Sequence, residues 1–361
     1  MKIRAALYDC PFEIGLSSVK ERGHGRLGRV DTGLLAPTLP VGTKDHANAH
    51  RRDACSPFQK YKSKRLLVLL SLCIGVSSLF FVQTTLGSQP ANFQTATASK
   101  PMIVAHRGSS AQAPENTLPA FQLAWEQGAD AIETDFQLTK DGHIVCFHDK
   151  DTKRVNGQPL AIADATLEEL RQLDMGGIQP QASERALRAW SSDQYKGTRI
   201  PTTAEVFAIV PAGKKIFIEI KCGPEIIDPL LRELGSSGLT PDQVVVIGFN
   251  SALLKSLKER DPKWQTAWLC SFDKKPNGKP RNAPAKVLKT LKDMRAHALM
   301  SGRGDVDKGL LDQIRAAGME HYVWTINDPK LGPTYKAQGV DAIITDLPAE
   351  MRAALNSSTN P

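Results

Sequence analysis

From Met102 onward, short apolar runs alternate with segments whose apolar residues recur every three or four positions. The short runs predict strands at Met102–Ala105, Ala131–Leu138, Ile144–His148, Ile216–Lys221, Val244–Phe249, Thr266–Ser271, Ala298–Met300, Tyr322–Ile326 and Ala342–Thr345. The segments between them predict helices near Thr117–Gln127, Thr203–Val210, Glu225–Leu234, Ser251–Arg260, Ala285–Arg295, Lys308–Ala317 and Pro329–Gln338. Repeated strand–helix alternation implies a parallel sheet with helices outside it. About eight such units in about 250 residues is the size of a (β/α)₈, or TIM, barrel. An open, doubly wound sheet is the alternative. A glycine-rich phosphate loop would favour it, and none occurs in the alternating region.

Two strand-like runs, Ala131–Leu138 and Ile144–His148, come before the next helix. Lys140-Asp141-Gly142 joins them, and Asp-Gly between apolar alternating runs is a hairpin signal. Residues from about 150 to 202 fit no strand–helix unit. They are polar, carry Asn156-Gly157 and Gly176-Gly177, and hold one short predicted helix, Thr166–Leu173. They read as an insertion after the second strand, packed near the barrel mouth.

The first part of the chain has a different character. Residues 1–59 show no sustained period and read as disordered, or as an upstream extension of the reading frame. Lys60, Lys62, Lys64 and Arg65 then precede the uncharged run Leu66–Val82, and small or polar residues follow through Gly87. That is the order of a secretory signal, so cleavage near Gly87 and export to the periplasm or medium are expected. An uncleaved anchor is the alternative, because the run is at the short limit of the roughly 20 residues a span needs. The expected organisation is a basic leader over 1–65, the signal over 66–87, a linker over 88–100 and a barrel over 101–355. Membrane contact is expected only through an uncleaved leader.

Charge and cysteine content agree with this division. Residues 1–65 hold 13 Lys/Arg and 6 Asp/Glu, which accounts for +7 of the formal +8. The basic balance describes the leader, and no nucleic-acid surface is expected on the body. Three of the six cysteines precede residue 88, and Cys146, Cys222 and Cys270 are far apart with no CxxC. That argues against a zinc site or a disulfide framework and predicts three buried thiols.

In a parallel barrel, side chains at the C-terminal strand ends share one mouth. His106 and Arg107 follow the first strand. Glu133 and Asp135 lie two apart on the second, so they face the same side. His148 ends the hairpin return, Glu219 and Lys221 end FIEIK, Trp324 and Asn327 end YVWTIN, and Asp346 follows the last strand. Three close carboxylates, Glu133, Asp135 and Glu219, call for a cation, and oxygen-only ligands suit Ca²⁺ or Mg²⁺. Such an ion polarises a phosphoryl oxygen. Arg107 suits a bidentate phosphate grip and Lys221 a point charge. His106 and His148 suit a proton-transfer pair. Each residue alone has an ordinary explanation. Glu-x-Asp can be a solvated edge, Glu115-Asn116-Thr117 a capped helix start, and Trp324 core. Their coincidence at matching strand ends argues for a metal-assisted phosphate site.

AHRG at 105–108, PENT at 114–117, ETD at 133–135, HD at 148–149, EIK at 219–221 and WTIN at 324–327 resemble the glycerophosphodiester phosphodiesterases, from about Met102 to about Leu355. The resemblance implies a TIM barrel with an insertion after the second strand. It also implies Ca²⁺ or Mg²⁺, and hydrolysis of small-molecule glycerophosphodiesters to sn-glycerol 3-phosphate and an alcohol. By position it makes His106 and His148 the acid–base pair and Glu133, Asp135 and Glu219 the metal ligands. Arg107 and Lys221 would be phosphate ligands, and Trp324 would line the substrate pocket. Hydrolysis of lysophospholipids, in the manner of a phospholipase D, is the alternative within this chemistry. It would need an apolar groove at the mouth, and 149–203 has few large apolar residues in a row. A glycoside hydrolase explains neither the histidines nor Arg107 and Lys221. A non-catalytic phosphodiester binder has no need of a proton-transfer pair.

Overall fold

Nine strands form one sheet in the computed structural model, which describes residues 100–176, 190–272, 282–302, 306 and 308–357. The strands are β1 (Met102–His106), β2 (Ala131–Leu138), β3 (Ile144–Cys146), β4 (Lys215–Ile220), β5 (Val244–Gly248), β6 (Gln265–Cys270), β7 (Ala298–Ser301), β8 (Glu320–Val323) and β9 (Ala342–Thr345). All neighbours pair in parallel except β2 and β3, and β1 pairs with both β9 and β2. The sheet therefore closes on itself as an eight-stranded parallel barrel, with β3 as an antiparallel extension of β2. The (β/α)₈ expectation holds. The basic leader, the apolar segment 66–87, the linker up to residue 99, residues 177–189 of the insertion and residues 273–281 lie outside the described residues. Among the described residues no helix is long and apolar enough to cross a membrane.

Strand alternation sorts side chains into two layers. Ala131, Phe217, Val245, Ala267, Ala298, Tyr322 and Ala342 belong to one buried cluster inside the barrel. Ile132, Ile216, Ile218, Val246 and Leu299 turn outward into a second cluster beneath the helices. Strands buried on both faces explain the near-continuous apolar runs in the sequence. Phe217 and Tyr322 meet edge to face at 5.3 Å and form an apolar floor inside the barrel. Helix starts follow local capping rules. Asn250 accepts hydrogen bonds from the backbone of Ala252 and Leu253 to begin Ser251–Arg260, and Thr202 and Glu205 form a capping box at Thr203–Ala208.

Four features differ from expectation. The insertion is not merely polar. Val155, Ile162, Leu170, Leu173, Met175 and Ile200 pack with Val145 and Phe147 of the hairpin into a separate apolar cluster. These residues are scattered without a period, because short turns and three- to five-residue helices supply them, so periodicity could not reveal them. The helix expected over Pro329–Gln338 divides into a 3₁₀ turn, Pro329–Leu331, and a helix, Gly332–Ala337. A further helix, Pro348–Ser357, buries Met351 and Leu355 against Ile103 and Ile343. Of the three cysteines, Cys146 and Cys270 are buried as expected, whereas Cys222 is only half-buried. Burial pushes the Cys222 thiol up to about 11 and the Cys270 thiol up to about 12, so both stay protonated at neutral pH.

Candidate active site

Strand register assembles the site. His106 is the register partner of Glu133, and Asp135 is the partner of Glu219. These residues follow the inward positions of the floor residues on the same strands, so they face the barrel axis above Phe217 and Tyr322. Glu133, Asp135 and Glu219 are all buried, and one ligand oxygen from each lies within 4.8 Å of the others. His106, Arg107, Glu133, His148, Glu219, Lys221, Phe249 and Trp324 line one cavity of about 260 Å³. The cavity thus brings together every expected catalytic, metal-binding and substrate-binding residue except Asp135. Asp135 sits behind this wall, 3.3 Å from Lys221 Nζ.

The turn after β1 is tightly specified. Gly108 has φ +81°, and a Cβ there would meet the Ala120 backbone carbon at 2.6 Å. Glycine lets the turn pass under helix Leu118–Glu126. Arg107 and Asn116 adopt positive φ of 57° and 58°, conformations that cost a non-glycine residue about 1–2 kcal/mol each. Buried polar contacts hold them there. The Arg107 backbone N–H donates to Glu133 Oε2 at 3.0 Å, and Asn116 N–H donates to Arg107 O at 3.0 Å. Asn116 Nδ2 donates to Asp135 Oδ2 at 2.8 Å, while Asn116 Oδ1 accepts from the Asp135 backbone at 3.1 Å. Thr117 does cap the helix, as the sequence suggests, by accepting from Ala120 N at 3.4 Å. Glu115 and Asn116 do more than start a helix: they turn into the site.

Both histidines have a fixed face. A carboxylate can only accept, so each ring donates through Nδ1. His106 Nδ1 donates to Asp346 Oδ1 and His148 Nδ1 to Asp149 Oδ1, each at 2.6 Å. This leaves Nε2 of each ring as the nitrogen for chemistry. His106 Nε2 points toward Glu133 Oε2, 4.0 Å away. Asn327 anchors the His106 partner: its Nδ2 donates to Asp346 Oδ2 at 2.7 Å and its Oδ1 accepts from the Asp346 backbone at 2.8 Å. Asp346 and Asn327 appeared in the sequence only as polar residues at strand ends, and their positioning of His106 is visible only in three dimensions.

The charge balance is short by one cation. Arg107 Nε lies 3.1 Å from Asp135 and its Nη1 donates to Glu115 at 2.9 Å. Lys221 Nζ donates to Glu219 at 2.7 Å and also faces Asp135. Burial works against ionised Asp135, but Arg107 and Lys221 outweigh it and hold this carboxyl below its ordinary range. Burial, reinforced by Asp135 and Glu219, pushes the Glu133 carboxyl well above its ordinary range. Burial also raises Glu219, against the pull of Lys221. Asp135 Oδ1 is buried, and Lys221 Nζ at 3.3 Å gives it an ion-pair contact without a well-formed hydrogen bond. A buried, oxygen-only, under-compensated cluster fits a hard divalent cation such as Ca²⁺ or Mg²⁺.

Trp324 stands at the cavity wall, its Nε1 donating to Met300 O at 3.2 Å. Phe249 meets it edge to face at 5.6 Å and is 53% exposed. As the last residue of an apolar run, Phe249 gave no sequence signal distinguishing it from core.

Residues 106–350 match the model of the glycerophosphoryl diester phosphodiesterase family. A glycerophosphodiester phosphodiesterase of Caldanaerobacter subterraneus subsp. tengcongensis is 32% identical over 258 residues, covering 69% of this chain and 95% of that protein. Among solved structures, an Oleispira antarctica phosphodiesterase in complex with the product sn-glycerol-3-phosphate is 28% identical, with a TM-score of 0.59 over 71% of this chain and 97% of its own. A glycerophosphodiester phosphodiesterase from Thermotoga maritima is also 28% identical, with a TM-score of 0.55 over 71% of this chain and 98% of its own.

Proposed function

Because the chain belongs to the glycerophosphoryl diester phosphodiesterase family, we propose that it hydrolyses glycerophosphodiesters to sn-glycerol 3-phosphate and an alcohol, with His106 and His148 as a proton-transfer pair at a divalent-cation site. The observation that carries this reading is the convergence of two carboxylate-oriented imidazoles and three buried carboxylates on one cavity of about 260 Å³.

Each step assigned to the chain follows from its position. One Nε2 accepts the proton of the attacking hydroxyl while the other donates a proton to the departing alcohol as its P–O bond breaks. Asp346 and Asp149 stabilise the imidazolium that forms on either ring. Arg107 and Lys221 present positive charge to the phosphate from the wall they share with the acids. Trp324 and Phe249 offer an aromatic surface to the organic part of the diester. Glu133, Asp135 and Glu219 would hold Ca²⁺ or Mg²⁺, which when bound supplies Lewis-acid polarisation of a phosphoryl oxygen. The basic-then-apolar order at 60–87 supports activity outside the cytoplasm.

The histidine pair is tested by His106→Ala and His148→Ala. Each should lower kcat by about 10²- to 10⁴-fold, with metal binding measured by calorimetry retained. Turnover surviving both replacements contradicts the mechanism. A lysophospholipid needs apolar surface beyond the cavity, and exposed Phe249 lies on that side. A lysophosphatidylcholine arm in the same assay decides between the two substrate classes.

A further inference from the structure

The insertion reaches the catalytic groups through the side chain of Arg154. Arg154 lies in the short helix Lys153–Asn156. Its Nη2 and Nη1 donate to Glu115 Oε1 and Oε2 at 2.6 and 3.1 Å, and its Nε donates to Asp149 Oδ2. The guanidinium is thus shared between two acids, and each acid holds a different site residue. Asp149 holds the His148 ring through Nδ1 at 2.6 Å, and Glu115 holds Arg107 Nη1 at 2.9 Å. Arg107 in turn reaches Asp135.

The platform beneath Arg154 is well fixed. Val155 is buried in the insertion's apolar cluster. Asn156 Nδ2 donates to Asp174 O at 2.8 Å, and Gly157 closes the helix at φ 83°. Thr152 Oγ1 donates to Gln158 O and accepts from Leu160 N at 3.2 Å. An exposed ion pair alone contributes little. Here the Glu115 side chain is only 4% exposed, so losing Arg154 removes two of its charge-assisted bonds inside the protein. The planar guanidinium grips Glu115 with two N–H groups and Asp149 with a third at fixed spacing, a geometry that the compact ammonium of a lysine does not reproduce.

We propose that Arg154 is a positioning residue, through which the insertion sets the orientation of both His148 and Arg107. The insertion is thereby part of the catalytic framework and not only a cover for the mouth. The proposal rests on the functional reading above, so one of its readouts does not need turnover.

The test compares the full-length protein with Arg154→Ala and Arg154→Lys. Turnover of glycerophosphocholine is measured together with the ring ¹⁵N shifts of His148, which report the nitrogen that carries the proton. Arg154→Ala should lower kcat/KM by about 10- to 100-fold, and added guanidinium ion should restore part of it. Arg154→Lys should recover less than guanidinium does. The His148 ring should lose its preference for the Nδ1–H tautomer in both variants. If Arg154→Ala is too unstable to purify, Arg154→Lys alone decides: wild-type kcat/KM and ring shifts overturn the proposal. A folded Arg154→Ala within twofold of wild type, or with unchanged ring shifts, overturns it equally. A wild-type protein without turnover whose ring shifts still move on substitution upholds the positioning role and overturns the substrate reading instead.

Discussion

His106 is oriented by a residue 240 positions away: its Nδ1 donates to Asp346 Oδ1 at 2.6 Å. His106 ends β1 and Asp346 directly follows β9, the strands whose pairing helps close the barrel. Barrel closure and the setting of the imidazole are therefore one structural event. Asp346→Asn keeps the shape but removes the obligatory acceptor, and the amide can turn its NH₂ toward the ring. That substitution should lower kcat by about 10²- to 10⁴-fold while KM changes little. Steady-state kinetics on the folded variant check this, and an unchanged kcat would remove Asp346 from the positioning of His106.

Stability should respond to pH through the acidic cluster. Burial raises Glu133 and Glu219, so the folded protein keeps protons that the unfolded chain releases above about pH 4.5. The stability tied to those protons is fully present below that pH and is lost as pH rises through the folded values. His321 works in the opposite direction. Burial lowers it from 6.5 to about 4, so its contribution grows as pH rises between those values. Asp149, held near 2 against the effect of burial by His148 and Arg154, acts only in strong acid. The clean readout is therefore a difference. In metal-free buffer, Glu133→Gln should gain Tm relative to wild type as pH increases from about 5 to 8. A saturating divalent cation should reverse the gain. A pH-independent difference would mean that Glu133 is ionised in the metal-free fold.

Phe249 and Trp324 make an aromatic corner at the cavity rim. Phe249 is half exposed and its ring packs on Trp324, so its effect should fall on binding. Phe249→Ala should raise KM by about 3- to 10-fold with kcat within twofold. A loss confined to kcat would place Phe249 in the chemical step.

Much of the fold was legible because short, near-continuous apolar runs alternate regularly with segments of helical period. All nine predicted strands occur within a few residues of their expected limits. The Asp-Gly hairpin is present, with Gly142 at φ 84°. The metal-type cluster was legible for the same reason: two-residue spacing on β2 and β4 fixes which way Glu133, Asp135 and Glu219 point. What stayed hidden depends on long-range or aperiodic geometry. Arg154 comes from an insertion whose apolar residues have no period. Glu115 sits two residues before the N-cap Thr117, where a capped helix start explains it locally. The strand-end rule placed Asp346 at the barrel mouth, but its pairing with His106 joins residues from opposite ends of the barrel sequence and left no local signal.

The most direct measurement is release of sn-glycerol 3-phosphate from glycerophosphocholine by the full-length protein in EDTA, in Ca²⁺ and in Mg²⁺. Release that disappears in EDTA and returns with either cation is the predicted result, because the three buried carboxylates leave the site short of positive charge. Undiminished release in EDTA would contradict a role for Glu133, Asp135 and Glu219 as ligands of a catalytic cation.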